Sequence, residues 1–357
     1  LWFWLGALAG FVLFLWLFSG VLLPFVAGIA IAYLLDPIAD RLERLGLSRG
    51  LAALTIVLGI FVVLVVGLIL VLPLLGHQLA GLLERLPSLI ARLQDLARPY
   101  FDGEFRKFLG GDAKALGGGV QTALSQGAGW ISQVLQSLWN GGQAVVSVIS
   151  VLVISPVVAA YMLVDWDDMI DRIDGWVTLR HRDTVRLLAG RMNDAVAGFV
   201  RGQVSVCLAM GAYYGVGLAL VVLEFGLLIG LVSGLLGVVP YVGFGFGLIV
   251  GLIVALVQYW PDWHGLLLVG AVFAGGQVLE SYVLTPNWVG RSVGLHPVWL
   301  LFSLFAFGSL FGFVGMLIAV PAAAAVGVLA RFAIEQYLAS PYFLHGADDE
   351  TPIGDGG

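Results

Sequence analysis

Of 357 residues, 60% are hydrophobic and 11% charged, with a mean hydropathy of +1.00. A soluble globular chain carries about 45–50% apolar and about 25% charged residues, so this composition excludes a cytosolic enzyme, a disordered chain and a secreted disulfide scaffold. The net charge of −6 leaves no basic footprint for nucleic acid, and a single cysteine, Cys207, precludes an intrachain disulfide. The composition predicts an all-α, polytopic integral membrane protein.

Charge-free stretches locate the membrane. There is no Asp, Glu, Lys or Arg in 1–35, 50–83, 115–164 or 292–330. A span needs about 20 apolar residues, which predicts full spans near 1–18, 21–35, 51–73, 143–164, 203–223 and 264–285. Residues 1–18 have no basic n-region and run directly into more apolar sequence, so they read as a membrane helix and not a signal peptide. Two further apolar tracts, 226–258 and 298–337, are each interrupted by a proline, Pro240 and Pro321.

Between the spans lie polar segments. Residues 77–98 carry leucines at helical spacing (Leu79, Leu82, Leu86, Leu89, Leu93, Leu96), and 120–138 repeat the pattern more gently. Both predict amphipathic extramembrane helices, joined at Gly117-Gly118-Gly119. The segment 165–201 opens at Asp165, an expected N-cap, and holds two amphipathic stretches. Segments 36–50 and 165–201 together hold nine basic residues in 52, against six in 65 for 76–140. The positive-inside rule then puts the first two on the cytoplasmic side, with both termini inside. The expected organisation is membrane helices at 1–75, an amphipathic region at 76–140, a membrane helix at 141–164, a cytoplasmic segment at 165–201, a transport core at 202–338 and a tail at 339–357.

The C-terminal half carries the chemistry. Gly234-Leu235-Leu236-Gly237-Val238-Val239-Pro240 returns as Gly315-Met316-Leu317-Ile318-Ala319-Val320-Pro321, identical at four of seven positions. Proline removes a backbone donor and glycine lets the chain reverse. Pro240, Tyr241 and Gly243 therefore predict a hairpin turn within the membrane, and Pro321 a second, inverted one. Half-helix ends buried in protein offer N–H and C=O groups to a solute. Kinked but continuous spans are the alternative.

Polar residues in apolar surroundings complete the candidate set. Gln277 and Glu280 share a helix face, and an intramembrane carboxylate costs about 2.5–3.5 kcal/mol on insertion scales. Glu280 is thus a solute or proton ligand, or a clamp to Arg291. Arg201 and Gln203 flank the start of a span; Tyr213 and Tyr214 lie within it, as packing residues or pathway hydroxyls. Pro286, Asn287 and His296 belong to a Gly/Pro-rich cytoplasmic connection. No P-loop, zinc or nucleophile-elbow motif occurs. No catalytic residue, metal, cofactor or nucleotide is therefore expected.

A series of short pieces resembles the autoinducer-2 exporter family, the PerM-like permeases of bacteria and archaea. They are Ala32-Tyr33-Leu34-Leu35-Asp36-Pro37, Tyr161-Met162-Leu163-Val164-Asp165, Arg201-Gly202-Gln203 and Val239-Pro240-Tyr241-Val242-Gly243. Gln277 with Glu280, Leu284-Thr285-Pro286-Asn287, Val289-Gly290, Gly294-Leu295-His296-Pro297 and Gly312 through Pro321 follow in order. The resemblance implies an inner-membrane secondary transporter built from several copies. It would export a small polar or amphiphilic solute such as the quorum-sensing molecule autoinducer-2. Other members resemble sodium(lithium)/proton antiporters, which keeps protons or sodium open as coupling ions. A non-transporting scaffold is the third reading.

Overall fold

The computed structural model describes residues 6, 10, 13–102, 142–289 and 296–340. Among the described residues there are helices and turns but no strand. A 3-10 turn at Ser19–Val21 leads into α1 (Leu22–Arg44), α2 (Arg49–Asp102), α3 (Gly142–Trp176) and α4 (Arg182–Leu220). Then come α5 (Gly226–Leu236), α6 (Val242–Tyr259), α7 (Trp263–Leu279), a π-helical segment at Glu280–Val289 and α8 (Pro297–Leu338). Seven of the described helices are long and apolar enough to cross a membrane; α5, with 11 residues, is not. Large apolar side chains such as Leu17, Val63, Leu208 and Phe305 face outward, as lipid contact requires.

The helices form two packed regions. In the first, α1, α2 and α3 meet over small side chains: Ala32, Ala39, Ala53 and Ala159 are buried beside Leu35, Ile56 and Leu163. Gly28 lies so close to α3 that a Cβ there would sit 2.6 Å from that of Val158 and 2.7 Å from the Ser155 carbonyl. Such close approach is how membrane helices gain dispersion energy without a hydrophobic driving force. Arg49, at the start of α2, ties all three together. It donates to Asp36 (2.8 Å), Asp40 (2.7 Å) and the Leu163 carbonyl (2.8 Å).

Here the long helices differ from the expected short ones. α2 holds 54 residues, about 81 Å at 1.5 Å per residue. The amphipathic stretch 77–98 is the extension of a membrane helix, which runs on through Pro73, Pro87 and Pro99. The second amphipathic stretch, 120–138, and the Gly117–Gly119 joint lie outside the described residues. Most of 1–18 does too. Asp165 does not cap a helix: it sits exposed in the middle of α3, which continues to Trp176. A run of acidic residues is compatible with a helix, and no breaker precedes Val177. The carboxylate that matters there is Asp174, which takes Arg186 in a fork (2.8 and 2.6 Å) and joins α3 to α4.

The second region, α4 to α8, has a core of Tyr214, Leu218, Ile229, Val269 and Phe273. α4 and α5 touch backbone to backbone. A Cβ at Gly230 would overlap Tyr214 and Gly215, and one at Gly234 would overlap Gly211. The α4–α5 connection holds Val222 and Phe225 at φ 59°, a region that costs an L-residue about 1–3 kcal/mol unless neighbours fix it. The neighbours do so. The Gln258 side chain accepts from Glu224 N–H (2.7 Å) and donates to the Val222 carbonyl (2.8 Å), and Tyr259 Oη donates to the Val221 carbonyl (2.7 Å). From α2, Gln78 accepts from Leu228 N–H (2.9 Å) and Arg85 pairs with Glu224 (2.6 Å).

These bonds put the start of α5 and the end of α6 at one end of the region, with the turn at 237–241 at the other. The tract 226–258 is therefore a hairpin, as its sequence predicts. α8 is also broken, but not where expected. Gly312, at φ 61° and ψ −139°, reverses the chain. Gly308 then faces Met316, and Gly315 lies against the Phe307 carbonyl, contacts that a continuous helix cannot make across eight residues. The helix continues through Pro321. Only glycine adopts the required backbone angles at little cost. The Gly315–Pro321 copy of the heptapeptide thus lies just beyond its turn, whereas Gly234–Pro240 runs into its own. The two copies are not equivalent. The hairpins nonetheless run in opposite directions. Leu300 and Val320, one from each arm of α8, line one cavity beside Gln203 of α4, and further along the second arm Glu335 sits 3.7 Å from Arg191.

Candidate functional site

A cavity of about 400 Å³ opens where the α5–α6 turn meets α4, the π-helical segment and both arms of α8. Pro240, Tyr241 and Gly243 supply its turn wall, Gln203 its α4 wall, and Gln277 and Glu280 its α7 wall. Six of the seven predicted pathway residues therefore line one chamber. The seventh, Pro321, does not; its neighbour Val320 does, opposite Leu300.

The turn wall is built by local chemistry. α5 ends at Leu236 because Pro240 has no N–H to continue the ladder. Tyr241 takes φ 69°, and α6 begins at Val242. Side chains then fasten the exposed backbone. Gln203 Nε2 donates to the Gly237 carbonyl (2.6 Å), and buried Ser233 Oγ donates to the Gly243 carbonyl (2.7 Å). A Cβ at Gly243 would overlap the Ser233 carbonyl, so glycine is required for this close turn.

The α7 wall changes helix type at Glu280. From there to Val289 the backbone is π-helical, a wide turn that recurs at functional sites because it redirects side chains. Gln277, Ser281 and Thr285 form an i, i+4, i+8 stripe into the cavity, and Gln277 Nε2 donates to Ser281 Oγ (2.9 Å). The helix reaches Val289, so Glu280 stands nine residues from its end, against five from the span end expected at 285. Pro286 and Asn287 belong to this segment and not to a loop.

Tyr214 closes the back. Its ring is 2% exposed, rests 5.0 Å from that of Phe273, and fits only because residue 276 is glycine. The residue lines the cavity, and its hydroxyl, enclosed beside Gly276, has no hydrogen-bond partner among the described residues. Buried hydroxyls are nearly always paired, so this one is an exception that it shares with Ser155 on α3. Chemically, the chamber offers amides, hydroxyls, backbone carbonyls and one carboxyl group inside an apolar bundle. Among the described residues no group of three or more His, Cys, Asp or Glu could hold a metal ion.

Comparison with known proteins gives this arrangement a context. The family model of the AI-2E family transporter matches residues 5–334. The chain belongs to the AI-2E transporter family. It is 27% identical over 316 residues to "Putative transport protein YrrI" of Bacillus subtilis (strain 168), covering 87% of this chain and 85% of that one. It is 28% identical over 311 residues to "Putative permease PerM" of Escherichia coli (strain K12), covering 86% and 85%. A third relative, "Putative transport protein MT0215" of Mycobacterium tuberculosis (strain CDC 1551 / Oshkosh), is 29% identical over 331 residues, covering 90% and 86%. The protein is thus a multi-pass membrane protein of a permease family.

Within this AI-2E fold the remaining described candidates lie outside the chamber lining. Arg201 Nε donates to the Tyr33 carbonyl (2.8 Å) and lines a separate, smaller cavity with Asp36, Trp166 and Asn193. It joins the two helical regions. His296 is the N-cap of α8, its Nδ1 accepting from Val298 N–H at 3.3 Å. Arg291 lies outside the described residues, so its clamp to Glu280 is not placed. Sequence reasoning missed Ser233, Ser281 and Thr285. The Gln277–Ser281–Thr285 stripe was a readable signal, being polar at four-residue spacing in an apolar span.

Proposed function

We propose that this protein is a secondary transporter that moves a small polar or amphiphilic organic solute across the cytoplasmic membrane by alternating access. The chamber beside the α5–α6 turn is its solute site. One observation carries the reading: in a permease-family fold, the polar and turn-forming residues of the broken hairpin, α4 and α7 converge on one cavity. Two oppositely directed hairpins supply elements that rock against the rest of the bundle. Efflux is the proposed direction, with both termini cytoplasmic, several copies assembling together and no catalytic chemistry. Autoinducer-2, whose export gives the family its name, is one solute of the required size and polarity.

The test is solute efflux from loaded proteoliposomes holding the full chain. Wild type is expected to release at least one member of a panel of polar organic solutes, and Gln203→Leu to slow that release by about tenfold, as loss of a buried polar contact does. No solute-dependent flux across the panel would contradict the reading. A second reading, sodium- or lithium-coupled proton exchange, is favoured by one observation, the Glu280 carboxyl group in the chamber. Cation-driven proton movement that survives Glu280→Gln would count against it.

A further inference from the structure

We propose that the solute is an organic ammonium cation, held by the Glu280 carboxylate against the aromatic wall of the chamber. This rests on the transport reading above and narrows its substrate class. Charge is the first argument. Glu280 is the only carboxyl group lining the cavity, no lysine, arginine or histidine lines it, and among the described residues none forms an ion pair or hydrogen bond with it. A carboxylate enclosed in an apolar bundle is costly without a partner. A neutral polyol leaves it unpaired, whereas a cation balances it.

The wall composition is the second argument. Phe199, Tyr214, Tyr241 and Phe244 all line the chamber. Ring faces attract cations, most strongly when water is excluded, and aromatic walls beside a carboxylate suit an alkylated ammonium group. The third argument is the Gln277, Ser281 and Thr285 stripe, whose amide and hydroxyls line the cavity and suit a hydroxyl or N–H on the same ligand. Size is the fourth. A chamber of about 400 Å³ is far larger than a dehydrated metal ion needs, and no carboxylate, imidazole or thiolate cluster is present among the described residues to grip one.

Choline and 3,3-dimethylbutan-1-ol have the same shape and hydroxyl group and differ in one charge. With the full chain purified in detergent, choline is expected to bind and to raise the melting temperature, and the neutral isostere to do neither. Glu280→Gln should weaken choline binding by about tenfold or more. Glu280→Asp should retain most of it, and neither unliganded variant should melt below wild type, which separates binding from folding. Equal binding of choline and the isostere, no choline binding, or choline binding unchanged in Glu280→Gln would each overturn the proposal. If proteoliposomes release a neutral solute while choline does not bind, the transport reading stands and the cation class falls. Choline binding without flux of any solute supports the cation site and overturns transport.

Discussion

The two helical regions solve the same problem in opposite ways. The α1–α3 layer is built from uninterrupted helices, held by small apolar contacts and by Arg49 with its carboxylates. The α4–α8 region contains broken helices, held around the chamber by glycine contacts and by uncharged side chains bonded to backbone, with its ion pairs, Arg191–Glu335 and Arg85–Glu224, away from the chamber. In the first, ionised groups satisfy one another. In the second, Glu280 and the Tyr214 hydroxyl have no partner among the described residues. The difference lies in charge: the Asp36 and Asp40 carboxylates are paired with Arg49 in the first region, whereas the Glu280 carboxyl group in the second has no partner among the described residues. Arg201, reaching from α4 to the Tyr33 carbonyl, is where the regions are joined.

The comparison can be broken most forcefully at the glycines. Gly234→Val drives a side chain into the backbone of Gly211, which has no rotamer by which to yield. Overpacking of this kind costs about 1–3 kcal/mol and occasionally more. The variant should lose monodispersity or melt far below wild type on size-exclusion and thermal scans. Gly270→Ala, with nothing within 4 Å, should melt unchanged.

The scaffold's weak point is Arg49. Arg49→Ala leaves Asp36 and Asp40 facing each other without their cation and the Leu163 carbonyl without its donor. The carboxylates are partly exposed, with side chains 40% and 46% accessible, so solvent screens much of the loss. A destabilisation of about 1–2 kcal/mol is expected in thermal melts. Arg49→Lys should recover only part, because an ammonium cannot serve three acceptors in a planar fork.

Within the site region the sign reverses. Tyr214→Phe removes a buried hydroxyl that has no partner, so stability should hold or rise by up to about 1 kcal/mol. Solute affinity should fall in the same variant. A scaffold residue would lose both together, so parallel melting and binding titrations discriminate the two regions.

The smallest effect is at the α6–α7 connection. Asp262 accepts from His264 N–H (2.9 Å) and pairs with its ring, and these two bonds hold its carboxyl below the usual range. A folded-state pKa below the unfolded value of about 3.9 adds stability that is fully present above that value and is lost as pH falls through the folded one. Asp262→Asn keeps the cap but cannot titrate. The small melting difference between wild type and this variant should be constant above about pH 5 and shrink below about pH 4.

Much of this was legible in the sequence. Charge-free runs located the membrane helices, and Pro240 with its neighbours located the α5–α6 turn, because proline and glycine act on the backbone locally. Glu280, Gln277 and Gln203 stood out by polarity, and the fold brings all three to the same cavity. What was hidden depends on tertiary context. Gly312 is one glycine among many, and its reversal becomes visible only when Phe307 meets Gly315. Pro321 misled because a single proline is tolerated inside a packed membrane helix. The length of α2 was concealed by its change from apolar to amphipathic sequence, which alters the surroundings of a helix without ending it. Tyr214 looked like packing, and its ring is; the fold also places the residue in the chamber lining.

Cys207 lines the chamber and is the single cysteine in the chain, so it reports on the chamber directly. Proteoliposomes that release a solute can be treated with a small methanethiosulfonate reagent, with Cys207→Ala as control. If the chamber is the transport site, labelling of Cys207 abolishes flux, excess solute slows the labelling, and Cys207→Ala transports undisturbed by the reagent. Full flux through protein quantitatively labelled at Cys207 would contradict that assignment.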